Sequence, residues 1–304
     1  MRALRIHERG GPEHLVEEEA GIPSPGIGDV LVRVHAASFT PTELEWPSTW
    51  VDRAGRDRRP SIPGHEVSGV VTALGYGTTG VAVGEAVYGL TDWYRDGTAA
   101  EYVAVEARNL ARKPDRLEHR TAAALPMVAL TAQQALFDHG GLASSQAVAV
   151  LGAGGGVGTF SVQLARAAGA RVVAVARPWA SDLLRGLGAE VFVDVDRAPL
   201  AEVDLIFDLV GGETLRRACA MVRLGATVVS VVEDPPVEAN RRGRFFVVEP
   251  RRGQLQELGK RVVAGELRPV VGAAWPLREG RAAFEAKHRG GQPGKSVLLV
   301  AEES

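Results

Sequence analysis

Cysteine is almost missing from this 304-residue chain. Cys219 stands alone, which excludes an intrachain disulfide framework and a cysteine-rich zinc lobe. Long apolar runs are missing as well. No stretch approaches the ~20 residues a membrane-spanning helix needs. The first residues, Met1-Arg-Ala-Leu-Arg-Ile-His-Glu, lack the apolar core of a secretion signal. A cytoplasmic location is the expectation. There is no excess charge of one sign either. Lys plus Arg number 35 against 37 Asp plus Glu, a net charge of −2, which leaves no basic footprint for nucleic acid or for an anionic membrane. With 45% hydrophobic and 24% charged residues, the chain does not have the composition of a disordered, collagenous or coiled-coil protein. Glycine is abundant at 36 residues and implies many tight turns and close backbone approaches. The length suggests about two domains.

The chain has two textures. Up to residue 118, short apolar runs (Val30–Val34, Val67–Ala73, Ala86–Leu90 and Glu101–Val105) alternate with Gly, Pro and Asp clusters, the pattern of a small β domain. A loop over Trp46–Ser61 carries Arg53, Arg56, Arg58 and Arg59. Beyond Leu117 the pattern changes. Thr121–Asp138 has helical spacing, and Val-rich strands then alternate with helices: Ala147–Leu151, Gly158–Ala168, Arg171–Ala176, Ala180–Leu187, Val191–Val193, Val203–Phe207, Leu215–Arg223 and Ala226–Val232. Strands that are apolar throughout are buried on both faces. The prediction is therefore an α/β fold with a doubly wound parallel sheet. Gln254–Ala264 reads as a helix and Ser296–Ala301 as a last strand.

The segment Val148-Ala-Val-Leu-Gly-Ala-Gly-Gly-Gly-Val-Gly158 follows a strand and opens a helix, and five of the seven residues from Gly152 are glycine. A pyrophosphate must approach backbone N–H groups at a helix N-terminus, where side chains would block it and the helix dipole attracts it. Gly154, Gly155, Gly156, Val157 and Gly158 are the candidate cradle. With Gly152 and Gly154 as its first two glycines, the G-x-G-x-x-G pattern would place its third at position 157, where Val157 stands. An NAD site places Asp or Glu after the second strand, for the ribose hydroxyls. Here that strand runs into Val175-Ala-Arg-Pro178 without a carboxylate, and Arg177 suits a 2′-phosphate, pointing to NADPH.

At this point the chain resembles the medium-chain dehydrogenase/reductases, in their zinc-independent quinone oxidoreductase branch. The matching pieces are Ala36-Ala-Ser-Phe-Thr-Pro41, Ile62-Pro-Gly-His-Glu-Val-Ser-Gly-Val-Val71, Gly97-Thr-Ala-Ala-Glu-Tyr-Val103, Ala122-Ala-Ala-Leu-Pro126 with Leu130-Thr-Ala132, the glycine turn with Val162-Gln-Leu-Ala165, Leu187-Gly-Ala189, Asp208-Leu-Val-Gly-Gly212 and Gly294-Lys-Ser-Val-Leu298. The resemblance implies a GroES-like β domain from residues 1–118 and 273–304, with a Rossmann domain of residues 119–272 inserted. It also implies a nicotinamide bound in the cleft, a homodimer, and reduction of quinones or of alkenes conjugated to a carbonyl. An alcohol dehydrogenase, or a non-catalytic NADPH-binding regulator, is the alternative.

The resemblance further implies that Thr131 and Val210 contact the cofactor, although Thr131 has the alternative of bonding back to its own helix. The family often has Asn where this chain has Thr40, and an aromatic residue where it has Glu45 followed by Trp46. Thr40 and Tyr94 are the candidate donors to a reduced carbonyl. Trp46 and Trp50 are candidates for an apolar substrate wall, with packing against the β domain as the alternative, and His65 for a hydrogen-bonded residue beside it. His65-Glu66 matches the metal-ligand position of the zinc branch, but a catalytic zinc needs three protein ligands and the cysteine position falls around Ser38–Thr40. No metal is expected.

Overall fold

The structure, a computed structural model, describes residues 1–236 and 242–301. The chain forms two compact units. The first comprises Met1–Pro126, Pro250–Val263 and the segment from Val271 onward, and the second comprises Met127–Glu249 with Ala264–Val270.

The first unit is built on a sheet in the order Val271–Pro276, Lys295–Leu299, Asp29–Ser38, Glu66–Leu74, Ala86–Leu90 and Leu110–Arg112, with Tyr102–Glu106 also paired to Asp29–Ser38. A hairpin of Arg2–Ile6 and Leu15–Glu19 lies beside it. Asp29–Ser38 is the hub. It pairs antiparallel with three strands, and its register shifts between Val34 and Ala36. Such an irregularity increases the local bend and lets one strand serve several partners. The core gathers Leu4, Ile6, Val32, Val67, Val105 and Phe284. Phe284 stacks on Phe39 with ring centroids 3.9 Å apart.

The second unit is a six-stranded, wholly parallel sheet. Its spatial order is Glu190–Phe192, Arg171–Val175, Ala147–Leu151, Leu205–Asp208, Thr227–Ser230 and Arg242–Phe245. In order of sequence this is 3-2-1-4-5-6, the dinucleotide-binding arrangement, whose switch point lies between Ala147–Leu151 and Leu205–Asp208. Every residue of Ala147–Leu151 is buried, as its unbroken apolar run requires.

Two expectations shift. The stretch Thr121–Asp138 is not one helix. It divides into His119–Ala123 and Pro126–Gln133, followed by a π-helical turn over Gln134–His139. Pro126 cannot donate a backbone hydrogen bond and so starts a new helix rather than continuing the old one. The unit boundaries also differ from 118/119 and 272/273. Ala123 and Ala124 pack against Ala36 and Val297 in the first unit. The helix Arg252–Val263 joins that unit too, where the Tyr88 hydroxyl donates to the Leu255 carbonyl at 2.8 Å. Gly259 admits this hydroxyl, since a Cβ there would lie 2.3 Å from it.

Candidate functional site

In the second unit, Ala147–Leu151 delivers the chain to Gly152, whose φ of +79° makes a turn that other residues resist. Gly155 is the N-cap of the 12-residue helix Gly156–Ala167, and no side chain caps it. The first N–H groups of a helix have no partner within it. Gly155, Gly156 and Val157 are half-exposed, while Gly154 and Gly158 are buried. A Cβ on Gly158 would stand 2.5 Å from the Ala153 Cα. This contact corrects the motif's register. Counted from Ala153, the pattern is Ala153-x-Gly155-x-x-Gly158, so Val157 is an ordinary position and Gly158 is the glycine that lets the helix approach the strand.

Val210 is about half exposed and lies against the turn, its Cγ2 2.8 Å from where a Gly152 Cβ would be. Its loop is held by Asp208, a buried carboxylate that accepts the N–H groups of Val210 and Gly211, each at 3.1 Å, and the Ser230 hydroxyl at 2.7 Å. Sequence reasoning missed this clamp. Its signal was an Asp ending an apolar strand three residues before Gly211-Gly212. Arg177 follows Arg171–Val175 and is exposed; its carbonyl accepts the Ala180 N–H at 3.0 Å, and among the described residues its guanidinium makes no hydrogen bond or ion pair. Asp182 is paired with Arg185 at 3.1 Å. Trp179 lies beside Gly154, 42% exposed. Thr131 is buried on Pro126–Gln133.

These residues fit a nicotinamide dinucleotide. The uncapped helix and open backbone of Gly155–Val157 suit a pyrophosphate, and side chains on Gly152, Gly154 or Gly158 would meet neighbours at 2.8 Å or less.

In the first unit the sequence brings three separated segments together. Glu66 is buried; it forms an ion pair with Lys295 and accepts the Ser38 hydroxyl at 2.5 Å. Lys295 Nζ also donates to Thr40 Oγ1 at 3.3 Å. The Thr40 N–H donates to Glu43 Oε2 at 3.1 Å, and the Gly64 N–H donates to Glu43 Oε1 at 2.7 Å. Burial pushes the Glu43 carboxyl up to about 7, against the opposing pull of the two N–H groups and Lys295. Glu43 and Lys295 were not among the sequence candidates, because a lone Glu in a loop and a Lys opening a strand carry no spacing signal.

His65 is buried beside this cluster. Its ring stacks on Trp46 at 5.8 Å and meets Trp93 edge-on at 4.8 Å, and its Nδ1 lies 3.3 Å from Thr91 Oγ1. Burial first, then the charges of Arg58 and Lys295, hold its imidazole down at about 3, so it is neutral at physiological pH. Trp46 and Trp93 are half-buried. Trp50 is different. It is 4% exposed, with its Nε1 donating to the Leu44 carbonyl at 2.9 Å, and it belongs to the core rather than to a substrate wall. The Tyr94 ring lies 4.7 Å beneath the Arg53 guanidinium.

The donor set does not fit a zinc. His65 is enclosed by aromatic rings, Glu66 is engaged by Lys295 and Ser38, and Cys219 is packed into the second unit's core. Among the described residues, no three His, Cys, Asp or Glu side chains converge.

The sequence matches two family descriptions: an alcohol dehydrogenase GroES-like domain over residues 26–115 and a zinc-binding dehydrogenase over 187–298. It is 31% identical to the mouse mitochondrial NAD(P)H oxidoreductase RTN4IP1 over 90% of this chain and 82% of that protein. It is 30% identical to the tomato 2-methylene-furan-3-one reductase, covering 98% of this chain and 79% of the other. A solved quinone oxidoreductase from Coxiella burnetii superposes with a TM-score of 0.89 at 28% identity, covering 99% of both chains. With the 3-2-1-4-5-6 sheet and the uncapped glycine turn, these likenesses make the chain an oxidoreductase of the medium-chain dehydrogenase/reductase superfamily, in its quinone oxidoreductase-like branch and with a nicotinamide cofactor.

Proposed function

We propose that the protein is an NADPH-dependent, zinc-independent reductase of quinones or α,β-unsaturated carbonyl compounds. The observation that carries the cofactor choice is Arg177, an exposed guanidinium without a protein partner among the described residues, standing where an NAD site has its carboxylate. A guanidinium binds phosphate oxygens in a bidentate, charge-assisted way. The substrate class is supported by the quinone and enone reductases that the chain resembles.

Bound NADPH supplies the hydride. The chain's part is to hold the cofactor by the backbone of Gly155–Val157 and by Arg177, and to meet the negative charge that develops on the substrate oxygen. The Thr40 hydroxyl is the donor for that charge, and water supplies the final proton. Neutral His65 and the faces of Trp46 and Trp93 offer an apolar aromatic surface for a planar acceptor. The test is steady-state oxidation of NADPH and NADH against a panel of quinones and enones. Turnover with NADPH preferred is expected. A preference for NADH would overturn the cofactor assignment. Tight NADPH binding with no turnover of any acceptor would favour the regulatory alternative. Oxidation of simple alcohols, lost on chelation, would favour the alcohol dehydrogenase.

A further inference from the structure

We propose that Lys295 is the positioning residue that makes the Thr40 hydroxyl a one-way hydrogen-bond donor, with Glu66 and Ser38 holding the lysine in place. The inference rests on the reading of Thr40 as the donor to substrate oxygen and adds what orients that donor.

A free threonine hydroxyl rotates and can accept as readily as it donates. An ammonium has donors and no lone pair. Lys295 Nζ, 3.3 Å from Thr40 Oγ1, therefore fixes that oxygen as the acceptor. The hydroxyl proton must then point elsewhere, and among the described residues Thr40 Oγ1 donates to no protein group. The backbone is held as well, through the Thr40 N–H on Glu43. Thr40 is half-buried, whereas Ser38, Glu43, Glu66 and Lys295 are all under 9% exposed. The cluster thus reaches the surface at Thr40, with its donor proton uncommitted. The positive charge behind the hydroxyl strengthens it as a donor, since bonds in a chain polarise one another. No covalent bond changes within the protein.

A purely structural role accounts poorly for the lysine. Strand Lys295–Leu299 is already laddered to Asp29–Ser38, with Val297 opposite Ser38. A buried ion pair is a weak source of stability compared with apolar residues of similar volume. The charge of Lys295 is also felt by Glu43, Lys287 and His65. Lys287 is turned to other partners, the Gly294 and Gln292 carbonyls.

The experiment is a double-mutant cycle between Thr40→Val and the paired change Lys295→Met with Glu66→Gln, which removes the ammonium without leaving a buried carboxylate unpaired. Thr40→Val should lower kcat by about 10²–10⁴-fold, the usual contribution of a positioned donor. Thr40→Ser should recover most of it, with KM for NADPH little changed. The paired change should lower kcat by about tenfold or more when Thr40 is present and by less than about twofold in the Thr40→Val background, because groups acting as a unit are non-additive. A second readout uses the protein without cofactor. With threonine methyls labelled with ¹³C, the paired change should shift the Thr40 resonance and leave that of Thr131 in place. Lys295→Gln provides the same two readouts if the paired variant does not fold. Equal losses in both backgrounds, or an unmoved Thr40 methyl, would overturn the role of Lys295 and leave Thr40 as the donor. An undiminished kcat in Thr40→Val would overturn the donor reading and this proposal with it.

Discussion

Around the glycine turn the second unit offers backbone. Gly155, Gly156 and Val157 are half-exposed, and no side chain caps their helix. Around Thr40 the first unit does the reverse, burying the ionisable side chains of Glu43, Glu66 and Lys295. The two regions therefore fail differently. The turn is damaged by adding atoms, because a Cβ on Gly152, Gly154 or Gly158 would meet a neighbour at 2.8 Å or less. The cluster is damaged by removing them, because each buried polar group is the partner of another. One stretch of sequence builds the turn, whereas the cluster is drawn from residues as far apart as 40 and 295.

The comparison is sharpest at Arg177, the one side chain near the turn that this reading makes functional. Arg177→Ala should raise KM for NADPH by about tenfold to a hundredfold, the worth of charge-assisted hydrogen bonds, and barely alter that for NADH. Equal losses with both cofactors would show that Arg177 supports the fold.

Adding a methyl to the turn separates packing from access. Gly158→Ala should destabilise the protein by about 1–3 kcal/mol in denaturant unfolding, because the new Cβ meets Ala153 backbone, which cannot yield as a side chain would. Gly155 has nothing within 3.4 Å of its Cβ position and a negative φ. Gly155→Ala should therefore stay within about 1 kcal/mol of the parent in stability, while NADPH affinity, measured by calorimetry, falls. Were Gly155→Ala to bind NADPH as tightly as the parent, the turn would not be the cradle.

The buried cluster makes its prediction in pH. Glu43 titrates near 7 when folded and near 4.5 unfolded, so the folded state holds more protons between those values and stability falls as pH rises through that window. His65 titrates near 3 when folded and near 6.5 unfolded, so its contribution is complete above 6.5 and is lost as pH falls toward 3. From about pH 4.5 to 6.5 the two slopes oppose, each at most about 1.4 kcal/mol per pH unit. Glu43→Gln should expose the His65 slope, with stability rising with pH in chemical denaturation. His65→Phe should expose the opposite one. Identical profiles for parent and Glu43→Gln would mean Glu43 is ionised in the fold.

The smallest effect is expected at Tyr94, whose ring is engaged with Arg53. Tyr94→Phe keeps that stacking and should change kcat less than Thr40→Val does. A larger loss would make Tyr94 the donor.

Much of the second unit was legible because its signals are local. Ala147–Leu151 is apolar at every position and was placed to the residue. The glycine run and Arg177 lie within 26 residues of one another. The motif's register was not legible, since three adjacent glycines leave the count ambiguous until the contact of Gly158 with Ala153 fixes it. In the first unit, Trp46 and Trp50 looked equivalent in sequence. Yet Trp46 packs on His65, while Trp50 turns inward to the Leu44 carbonyl.

The alternation of strands and helices, the glycine turn and the missing acid after the second strand are all local, because backbone conformation and hydrophobic period are properties of neighbouring residues. It takes the folded chain to bring Lys295, opening a strand near the end of the sequence, to the hydroxyl of Thr40 and the carboxylate of Glu66. That pairing is set by the antiparallel ladder between Lys295–Leu299 and Asp29–Ser38, a contact across more than 250 residues. Spacing along the chain carries no record of such a contact, because strand pairing is chosen by the burial of whole faces rather than by local pattern.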